Sequence, residues 1–273
     1  MITADLHVHT RCSHGKNTVR EMFAAGRERG IALHGFSEHS PRPAGYDYPR
    51  EYRDQLMRAY PGHVREVLEL KEQYPGQVLL GMEMDWIEAE SGFMETSIRA
   101  YEFDYLIGSV HFIGTWGYDF SAVDWKDFSF GECARHYESY FRALARMAGS
   151  RLFNIAAHPD LIKIFSIAAF RQWLTRHEGL DLVRESLVAI RDAGMSMEIS
   201  SAGLRKPCRE IYPGPEIMRL AADLRVPVVF SADAHQAADM GFAFDELSRY
   251  AATFGIERGE CVIGGVCLTF PLY

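Results

Sequence analysis

Histidines and carboxylates recur in short clusters along this sequence of 273 residues. The first cluster, ADLHVHTRCSHG (4–15), places three histidines and an aspartate in one predicted strand and the turn after it. A neutral imidazole offers a lone pair to a divalent cation, and a carboxylate adds negative charge and can bridge two cations. The stretch therefore predicts ligands of a metal site at the end of the first strand.

The elements that must position these residues can be predicted from the hydrophobic pattern. Seven short apolar runs, the first at 2–9 and the last at 227–235, alternate with longer stretches of helical periodicity. Strands that alternate with helices are typical of one mostly parallel sheet, closed or open. Because no linker or internal repeat divides the chain, we predict a single α/β domain over residues 1–273.

Nearly every predicted strand ends in His, Asp or Glu. Parallel strands all finish at one face of a barrel or open sheet, so these side chains should meet where such folds keep their active sites. Alternation along the first strand puts His7 and His9 on one side and points Leu6 and Val8 outward, toward the helices. The strand-end residues are His7, His9, Glu38, His39, Glu83, Asp85, His111, His158, Asp160, Glu198, Asp233 and His235.

The histidines in this set exceed what one ion needs. Three or four protein ligands saturate one Zn²⁺, so the excess predicts two or three ions, of the kind that clamp a phosphoryl group. The histidines that lie mid-strand, on helices or in other loops are assigned to the core or the surface instead: His34, His63, His136 and His177.

Two predicted loops are too long to be mere turns. Residues 40–52 and 113–131 are rich in aromatic residues, Gly and Asp. Long loops in compact domains are usually functional, so we expect both to contribute to the site.

Composition and charge disfavour several classes of function. The formal charge of -8 gives no basic footprint for a nucleic-acid backbone. The absence of a long apolar run and of a leader pattern argues against membrane spanning and secretion. Five cysteines without CxxC spacing fit a reducing compartment. We therefore expect a cytoplasmic protein with a small-molecule partner, and the sequence is compatible with a homo-oligomer.

The ordered motifs DLHVHT, SEH, GMEMD, GSVHF, AHPD and SADAH resemble those of the polymerase and histidinol phosphatase (PHP) superfamily over nearly the whole chain. Within it, GSVHFIGTWGYD and EISSAGLRKPCREIYPGPEI look most like the histidinol-phosphate phosphatases of histidine biosynthesis. The resemblance implies a distorted (β/α)7 barrel, TIM-like, with three divalent ions (zinc, iron or manganese) at the carboxyl ends of the strands. One departure is Ser200–Ser201, which stands where that family is expected to have Asn followed by Thr or Ser.

Carried over position by position, the resemblance implies nine metal ligands. The first ion is expected on His7, His9, Glu83 and Asp233. Glu83 also reaches the second ion, beside His111 and His158. The third ion is expected on His14, His39 and His235.

The implied reaction is hydrolysis of L-histidinol phosphate to L-histidinol and phosphate. We expect a hydroxide bridging the first two ions to attack phosphorus in line, with Asp233 and His235 as catalytic residues and a group near His235 stabilising the leaving alkoxide. The phosphate is expected to contact Arg205 and Lys206, with Arg42 as a further candidate.

The rest of that substrate is a cation with an aromatic ring, so its site needs an acid and an aromatic wall. The candidate acids for the ammonium group are Glu198, Asp160 and Asp119. The candidate walls for the imidazole are Phe112, Trp116 and Tyr118.

Two other functions remain open at this stage. A PHP-type phosphoesterase acting on another small phosphomonoester or a nucleotide would keep the same ligands, and only activity across substrates would distinguish it. A barrel that has lost catalysis and serves as a metal-stabilised binding module should have lost ligands, whereas all nine positions carry His, Asp or Glu.

Overall fold

The computed structural model describes residues 2–46 and 50–272, apart from the side chain of Arg50. Within these residues the strands are β1 (Ala4–Val8), β2 (Leu33–Phe36), β3 (Val78–Asp85), β4 (Tyr105–Ser109), β5 (Phe112–Ile113), β6 (Trp116–Gly117), β7 (Ile155–Ala156), β8 (Ser196–Ser200), β9 (Val228–Ser231), β10 (Arg258–Ile263) and β11 (Val266–Pro271). The α-helices are α1 (Val19–Glu28), α2 (Arg50–Gln73), α3 (Ser91–Arg99), α4 (Phe130–Gly149), α5 (Ile167–Leu174), α6 (His177–Asp192), α7 (Pro215–Asp223) and α8 (Phe244–Ala252).

All seven predicted strands are present and form one parallel sheet in the order β1-β2-β3-β4-β7-β8-β9. The two edges of this sheet also meet, through a parallel bridge between Val8 and Ala234. The N–H of His9 donates to the carbonyl of Ala234 at 2.9 Å. The sheet thus closes into a nearly complete barrel, distorted because β7 contributes only two residues.

Helices surround the barrel because each has one apolar stripe. In α1, Met22 and Phe23 are buried in the same core as Val8 of β1. Reciprocal capping boxes fix where α1 and α4 begin, and Pro215 is the first residue of α7, a position that proline favours. The apolar faces therefore point inward, and the strand ends remain free to carry polar side chains.

The interior of the barrel corrects one sequence prediction. Leu6 does not point outward: it is buried with Tyr105, Ile107 and Val229 in a separate core, whereas Val8 faces the helices as predicted. The pairing of β1 with β2 is irregular between Asp5 and Val8, and a bulge of this kind re-aims the side chains that follow it. As a result, the side chains of the adjacent residues Leu6 and His7 both point into the barrel, Leu6 into the interior core and His7 into the ligand cluster.

The hairpin β10–β11 was not among the predicted elements. Its residues Cys261, Ile263 and Phe270 pack into the interior core with Leu6. The Ser196 hydroxyl, at the start of β8, donates to the carbonyl of Glu260 at 2.6 Å. The hairpin therefore covers the amino ends of the strands, opposite the face where the predicted ligands lie.

Regular structure occupies part of both predicted long loops. The loop predicted at 40–52 ends where α2 begins at Arg50, and residues 47–49 lie outside the described part of the chain. The segment 113–131 contains the rest of the β5–β6 hairpin and a short 3-10 helix, Ala122–Trp125. Among the helices of the described residues, none is both long enough and apolar enough to cross a membrane.

The packing of the Tyr105 ring makes Gly81 a position in the barrel interior that is sensitive to substitution. The Tyr105 hydroxyl donates to the carbonyl of Leu6 at 2.5 Å, and a Cβ added at Gly81 would lie 2.5 Å from the Tyr105 Cζ. Because the anchored ring cannot move aside, Gly81→Ala should lower the free energy of unfolding by about 1–3 kcal/mol. Gly62→Ala, in open space within α2, should instead raise it by about 0.5–1 kcal/mol. Urea denaturation of both variants tests this, and equal stability of the two would contradict it.

Candidate metal centre and adjoining pocket

The carboxyl ends of the barrel strands bring eight of the nine predicted ligands into one cluster. Their ligand atoms lie within 4.8 Å of one another in overlapping groups of three. The groups are His7, His9 and Asp233; His7, Glu83 and His158; His39, Glu83 and His111; and His9, His39 and His235. Shared members join the groups into one continuous arrangement, as convergence of parallel strand ends predicts.

One oxygen of Glu83 faces the first part of this cluster. Its Oε2 lies 3.3 Å from Nε2 of His7, 3.4 Å from Nε2 of His9 and 2.7 Å from Nδ1 of His39. None of these contacts has hydrogen-bond geometry, since Oε2 and all three nitrogens have no hydrogen-bond partner among the described residues. The four atoms point at a common region without donating protons to one another.

The other oxygen of Glu83 faces the second part of the cluster. Its Oε1 lies 3.1 Å from Nε2 of His158 and 3.5 Å from Nε2 of His111. The hydroxyl of Ser109 also donates to it, at 2.5 Å. One carboxylate thus reaches both ligand sets, which is the position that a bridging ligand requires.

The donor atoms fit divalent metal ions. Buried polar atoms are almost always hydrogen-bonded, because an unpaired one is costly. Here several converge unpaired in the described structure: Nε2 of His7, Nε2 of His9, Nδ1 of His39, Oε2 of Glu83 and Nε2 of His235. Imidazole nitrogen and carboxylate oxygen are the ligands that zinc, iron and manganese accept.

The arrangement around His14 differs from the expected third ligand set. The His14 ring lies 4.3 Å from that of His235 and 5.0 Å from that of His39, centroid to centroid. It belongs to none of the close groups, and in its place His9 groups with His39 and His235. His14 lies instead at the edge of the cluster, where its Nδ1 is 3.3 Å from the hydroxyl of Tyr52.

Three of the clustered histidines each contact a different carboxylate through Nδ1, on the side of the ring away from the cluster. Nδ1 of His7 donates to Glu198 at 2.6 Å, and Nδ1 of His111 donates to Asp85 at 2.6 Å. Nδ1 of His9 contacts Glu38 at 3.1 Å. An ionised carboxylate only accepts, so each Nδ1 carries a proton and each Nε2 faces the cluster, where a metal cation would take the place of its proton.

The electrostatics of the cluster favour positive charge. Burial would raise the pKa of Glu83, but the surrounding imidazoles, His7 and His39 first, bring that pKa well below its usual value. Burial lowers the pKa of His7, yet Glu198 and Glu83 outweigh it and raise that pKa well above its usual value. The carboxylates that favour a proton on these rings would equally favour a metal cation in its place.

Two of the clustered residues have unusual backbone conformations. The φ angle is 47° at Asp233 and 21° at His158, in the range that favours glycine. Such conformations cost about 1–3 kcal/mol and are characteristic of functional sites. Interactions elsewhere in the structure must therefore hold both residues in place.

Two adjoining cavities share lining residues above the cluster. A recess of about 70 Å³ is lined by seven of the predicted ligands together with Asp119, Leu161, Ile164 and Lys206. A wider pocket of about 300 Å³ shares Asp119, Lys206 and three of those histidines with it. The remaining lining of the wider pocket is Arg42, Tyr52 and Phe120.

Three of the predicted substrate contacts line these cavities. Lys206 and Asp119 border both of them, and Arg42 borders the wider pocket. The Nε of Arg42 donates to Asp85 at 2.6 Å, and its guanidinium stacks on the Phe112 ring at 5.1 Å. Arg42 is therefore held in the pocket wall by the carboxylate that also orients His111.

The two strand-end acids predicted to bind the ammonium group have other partners. Glu198 accepts from His7, from the N–H of His158 at 2.7 Å and from Ser231 at 2.7 Å, and it is fully buried. Asp160 is buried against the ammonium of Lys163 at 2.6 Å. Neither lines the pocket, so their placement does not fit a substrate contact: one orients a histidine and the other forms a buried ion pair.

Two further predicted contacts also lie outside the pocket lining. Trp116 packs against Trp125 and His136, with ring centroids 5.3 Å and 4.7 Å away. Arg205 lines neither cavity: it pairs with Asp239 and donates to the carbonyl of Asp233. Two other aromatic residues were predicted to pack on the imidazole. Tyr118 is buried and its hydroxyl donates to the carbonyl of Val110, and the Phe112 ring lies under the guanidinium of Arg42.

Sequence reasoning missed four residues that shape the site. Glu38 and Asp85 were recognised as strand-end residues but were given no role behind a histidine. Period-two alternation within GMEMD puts Glu83 and Asp85 on one side of the strand and could have indicated that Asp85 faces the histidines, whereas Glu38 is adjacent to His39 and carries no such signal. Phe120 and Tyr52 line the pocket from the two predicted loop regions, and no local signal separates them from the other aromatic residues there.

Comparisons with known proteins find relatives of this chain. A family model described as "PHP domain" matches residues 5–202. A probable histidinol-phosphatase of Deinococcus radiodurans is 32% identical over 247 residues, which cover 88% of this chain and 89% of that protein. The histidinol-phosphatase of Bacillus subtilis is 29% identical over 261 residues, which cover 88% of this chain and 96% of that protein. The crystal structure of a histidinol phosphate phosphatase from Lactococcus lactis, complexed with zinc, L-histidinol and phosphate, has a TM-score of 0.73 and 18% identity, covering 97% of this chain and 98% of that one, and so shares the fold.

The carboxylates behind the histidines predict a measurable effect on metal binding. Glu198→Gln keeps the size of the side chain but removes the charge that orients His7, so metal affinity should fall by about 10–100-fold. Elemental analysis after dialysis against buffered free Mn²⁺ or Zn²⁺ measures this. Glu95→Gln, on the exposed surface of α3, is the matched control and should retain its metal. Equal metal content in both variants would contradict the orienting role.

Proposed function

The chain belongs to the PHP domain family, and on that premise we propose that it is a histidinol-phosphatase, hydrolysing L-histidinol phosphate to L-histidinol and phosphate. The observation that carries the proposal is the pocket of about 300 Å³ that opens onto the histidine and carboxylate cluster. Histidinol phosphate carries a phosphate, an ammonium group and an imidazole ring. The cavities offer a partner of suitable chemistry for each of them.

The phosphate end is proposed to enter the recess above the cluster. Lys206 borders both the recess and the wider pocket, so its ammonium group would supply positive charge where the phosphate enters. Arg42, held by Asp85 in the wall of the wider pocket, would contact the phosphate from the other side. These two residues keep the role that the sequence suggests for them.

Three divalent ions, of zinc, iron or manganese, are proposed to complete the site. When bound, they would neutralise the phosphate, lower the pKa of a water molecule and align it with phosphorus. The residues proposed to hold them are His7, His9, Glu83 and Asp233 for the first, Glu83, His111 and His158 for the second, and His39 and His235 with His14 or His9 for the third. Through these contacts Asp233 and His235 remain the proposed catalytic residues.

The rest of the substrate is proposed to occupy the outer pocket. Asp119 lies beside the recess and would pair with the ammonium group. Phe120 stands at the mouth with 59% of its surface exposed, so an imidazole ring packed on it would bury apolar area. Tyr52 lines the same pocket and offers a second aromatic face.

The experiment that tests the proposed function is phosphate release by the purified, metal-loaded protein. L-histidinol phosphate is compared with phosphoserine, glycerol phosphate and p-nitrophenyl phosphate by kcat/KM. A marked preference for histidinol phosphate supports the proposal. Weak and even activity across the panel would identify a PHP-type phosphoesterase with another substrate, and no release from any compound would overturn a phosphatase function.

Removal of a proposed ligand should affect metal content and turnover together. His9→Ala or Asp233→Ala should empty at least one metal site and lower kcat/KM by about 1,000-fold or more, since metal contact supplies several kcal/mol of transition-state stabilisation. Metal per chain and phosphate release are measured on the same sample. His177→Ala, at the exposed start of α6, should change neither. Normal metal content and turnover in His9→Ala would contradict the ligand assignment.

Substitution of Asp119 should affect only substrates that carry an ammonium group. Asp119→Asn should raise KM for histidinol phosphate about 10-fold, which corresponds to ~1.4 kcal/mol, because a charge-assisted contact is lost. KM for p-nitrophenyl phosphate, which has no ammonium group, should not change. Asp127→Asn, at an 86% exposed side chain in the same segment, is the control. A similar rise in KM for both substrates would argue against an ammonium contact.

A further inference from the structure

Arg205 has a position unlike that of a phosphate-binding residue. It ends the short 3-10 helix Ser201–Arg205 that follows β8. The next residue, Lys206, borders both cavities of the site, whereas Arg205 lines neither. Its side chain is 21% exposed and is directed toward the segment that follows β9.

The guanidinium of Arg205 contacts that segment at several points. Nη2 of Arg205 donates to the carbonyls of Ala232 and of Asp233, the latter at 3.2 Å. Nη1 pairs with the carboxylate of Asp239. The guanidinium also lies over the Phe242 ring, 5.2 Å from its centroid. A planar, multidentate group suits such a contact to two successive carbonyls better than a single ammonium would.

The two carbonyls belong to the strained turn that carries Asp233. The φ angle of 47° at Asp233 is unfavourable for a residue with a Cβ, so the turn needs external support. The carboxylate Oδ1 of Asp233 lies 3.2 Å from Nε2 of His9 and 3.9 Å from Nε2 of His7. A small change in the turn would therefore move this carboxylate away from the cluster.

We propose that Arg205 is a positioning residue that, anchored by Asp239, clamps the turn at Ala232–Asp233 and so aims the Asp233 carboxylate at His7 and His9. The clamp replaces the phosphate contact expected from the sequence. Pairing with Asp239 neutralises much of the charge that a phosphate would need, and it fixes the direction of the guanidinium. The inference rests on the proposed function, because the positioned carboxylate is one of the proposed metal ligands.

The clamp is tested by metal binding and by separating kcat from KM. Arg205→Ala should weaken binding of Mn²⁺ by about 10–100-fold and lower kcat, because the ligand is no longer oriented. KM for histidinol phosphate and the inhibition constant of inorganic phosphate should stay within about threefold of the unmodified protein. Asp239→Asn should reproduce the loss of metal affinity more weakly, and Arg205→Lys should restore only part of it.

The controls distinguish this role from a general loss of structure. Arg171→Ala removes a mostly exposed arginine whose partner is Glu210, and it should leave metal affinity unchanged. The melting temperature of each variant without metal shows whether it folds; if Arg205→Ala does not, Asp239→Asn and Arg205→Lys carry the test.

The opposite result would overturn the clamp. Normal metal affinity in Arg205→Ala, with KM and the phosphate inhibition constant raised tenfold or more and Asp239→Asn without effect, would identify a phosphate contact. Metal binding is measured without substrate. A failure of the unmodified protein to hydrolyse histidinol phosphate would therefore refute the proposed function and leave the metal-binding readout of the clamp intact.

Discussion

The structure depends on one buried charge, the carboxylate of Glu83. It is only 1% exposed and yet remains ionised, because five imidazole rings and the hydroxyl of Ser109 surround it. An ionised carboxylate at this depth is stable only where opposite charge and hydrogen bonds replace its lost hydration. The rings come from the ends of several strands, so closure of the barrel and the charge balance around Glu83 depend on each other.

Charges alternate in sign outward from that centre. Glu83 and Asp233 lie among the imidazoles, and a second set of carboxylates, Glu198, Glu38 and Asp85, lies behind them. On one side the alternation continues to Arg42, which pairs with Asp85. This layering fixes a proton on Nδ1 of His7, His9 and His111, so these three rings face the cluster with Nε2, the atom that can bind a cation. The open side toward Lys206 is where an anionic substrate would extend the pattern.

The order of strands and the identity of the converging residues could be predicted because both follow from local patterns. A run such as VVFSADAH predicts both its strand and the polar residues at its end, and parallel pairing brings those ends together.

The inward direction of the Leu6 side chain could not be predicted in this way. It depends on a bulge in the pairing of β1 with β2 and not on the residue types of β1. Glu198 and Arg205 were assigned to the substrate because a sequence gives residue type but not direction. In the structure, Glu198 accepts from His7, and Arg205 pairs with Asp239 and donates to the carbonyls of Ala232 and Asp233. The β10–β11 hairpin, by contrast, could have been predicted from the sequence. Gly264 and Gly265 lie between two apolar runs, a pattern that is typical of a hairpin turn.

The β10–β11 hairpin also affects the order in which the protein can fold. It follows all seven barrel strands along the chain and nevertheless supplies Cys261, Ile263 and Phe270 to the interior core. A nascent chain that has exposed β1 through β9 on the ribosome still lacks one wall of that core, so its interior apolar surface stays accessible to water and to chaperones. Leu6 and Phe270 share this core although they are separated by nearly the whole sequence, and packing between segments of such high separation forms late. Completion of the interior core is therefore coupled to translation of this segment, and a chain interrupted before it would keep its metal ligands above an interior that is open at the amino ends of the strands.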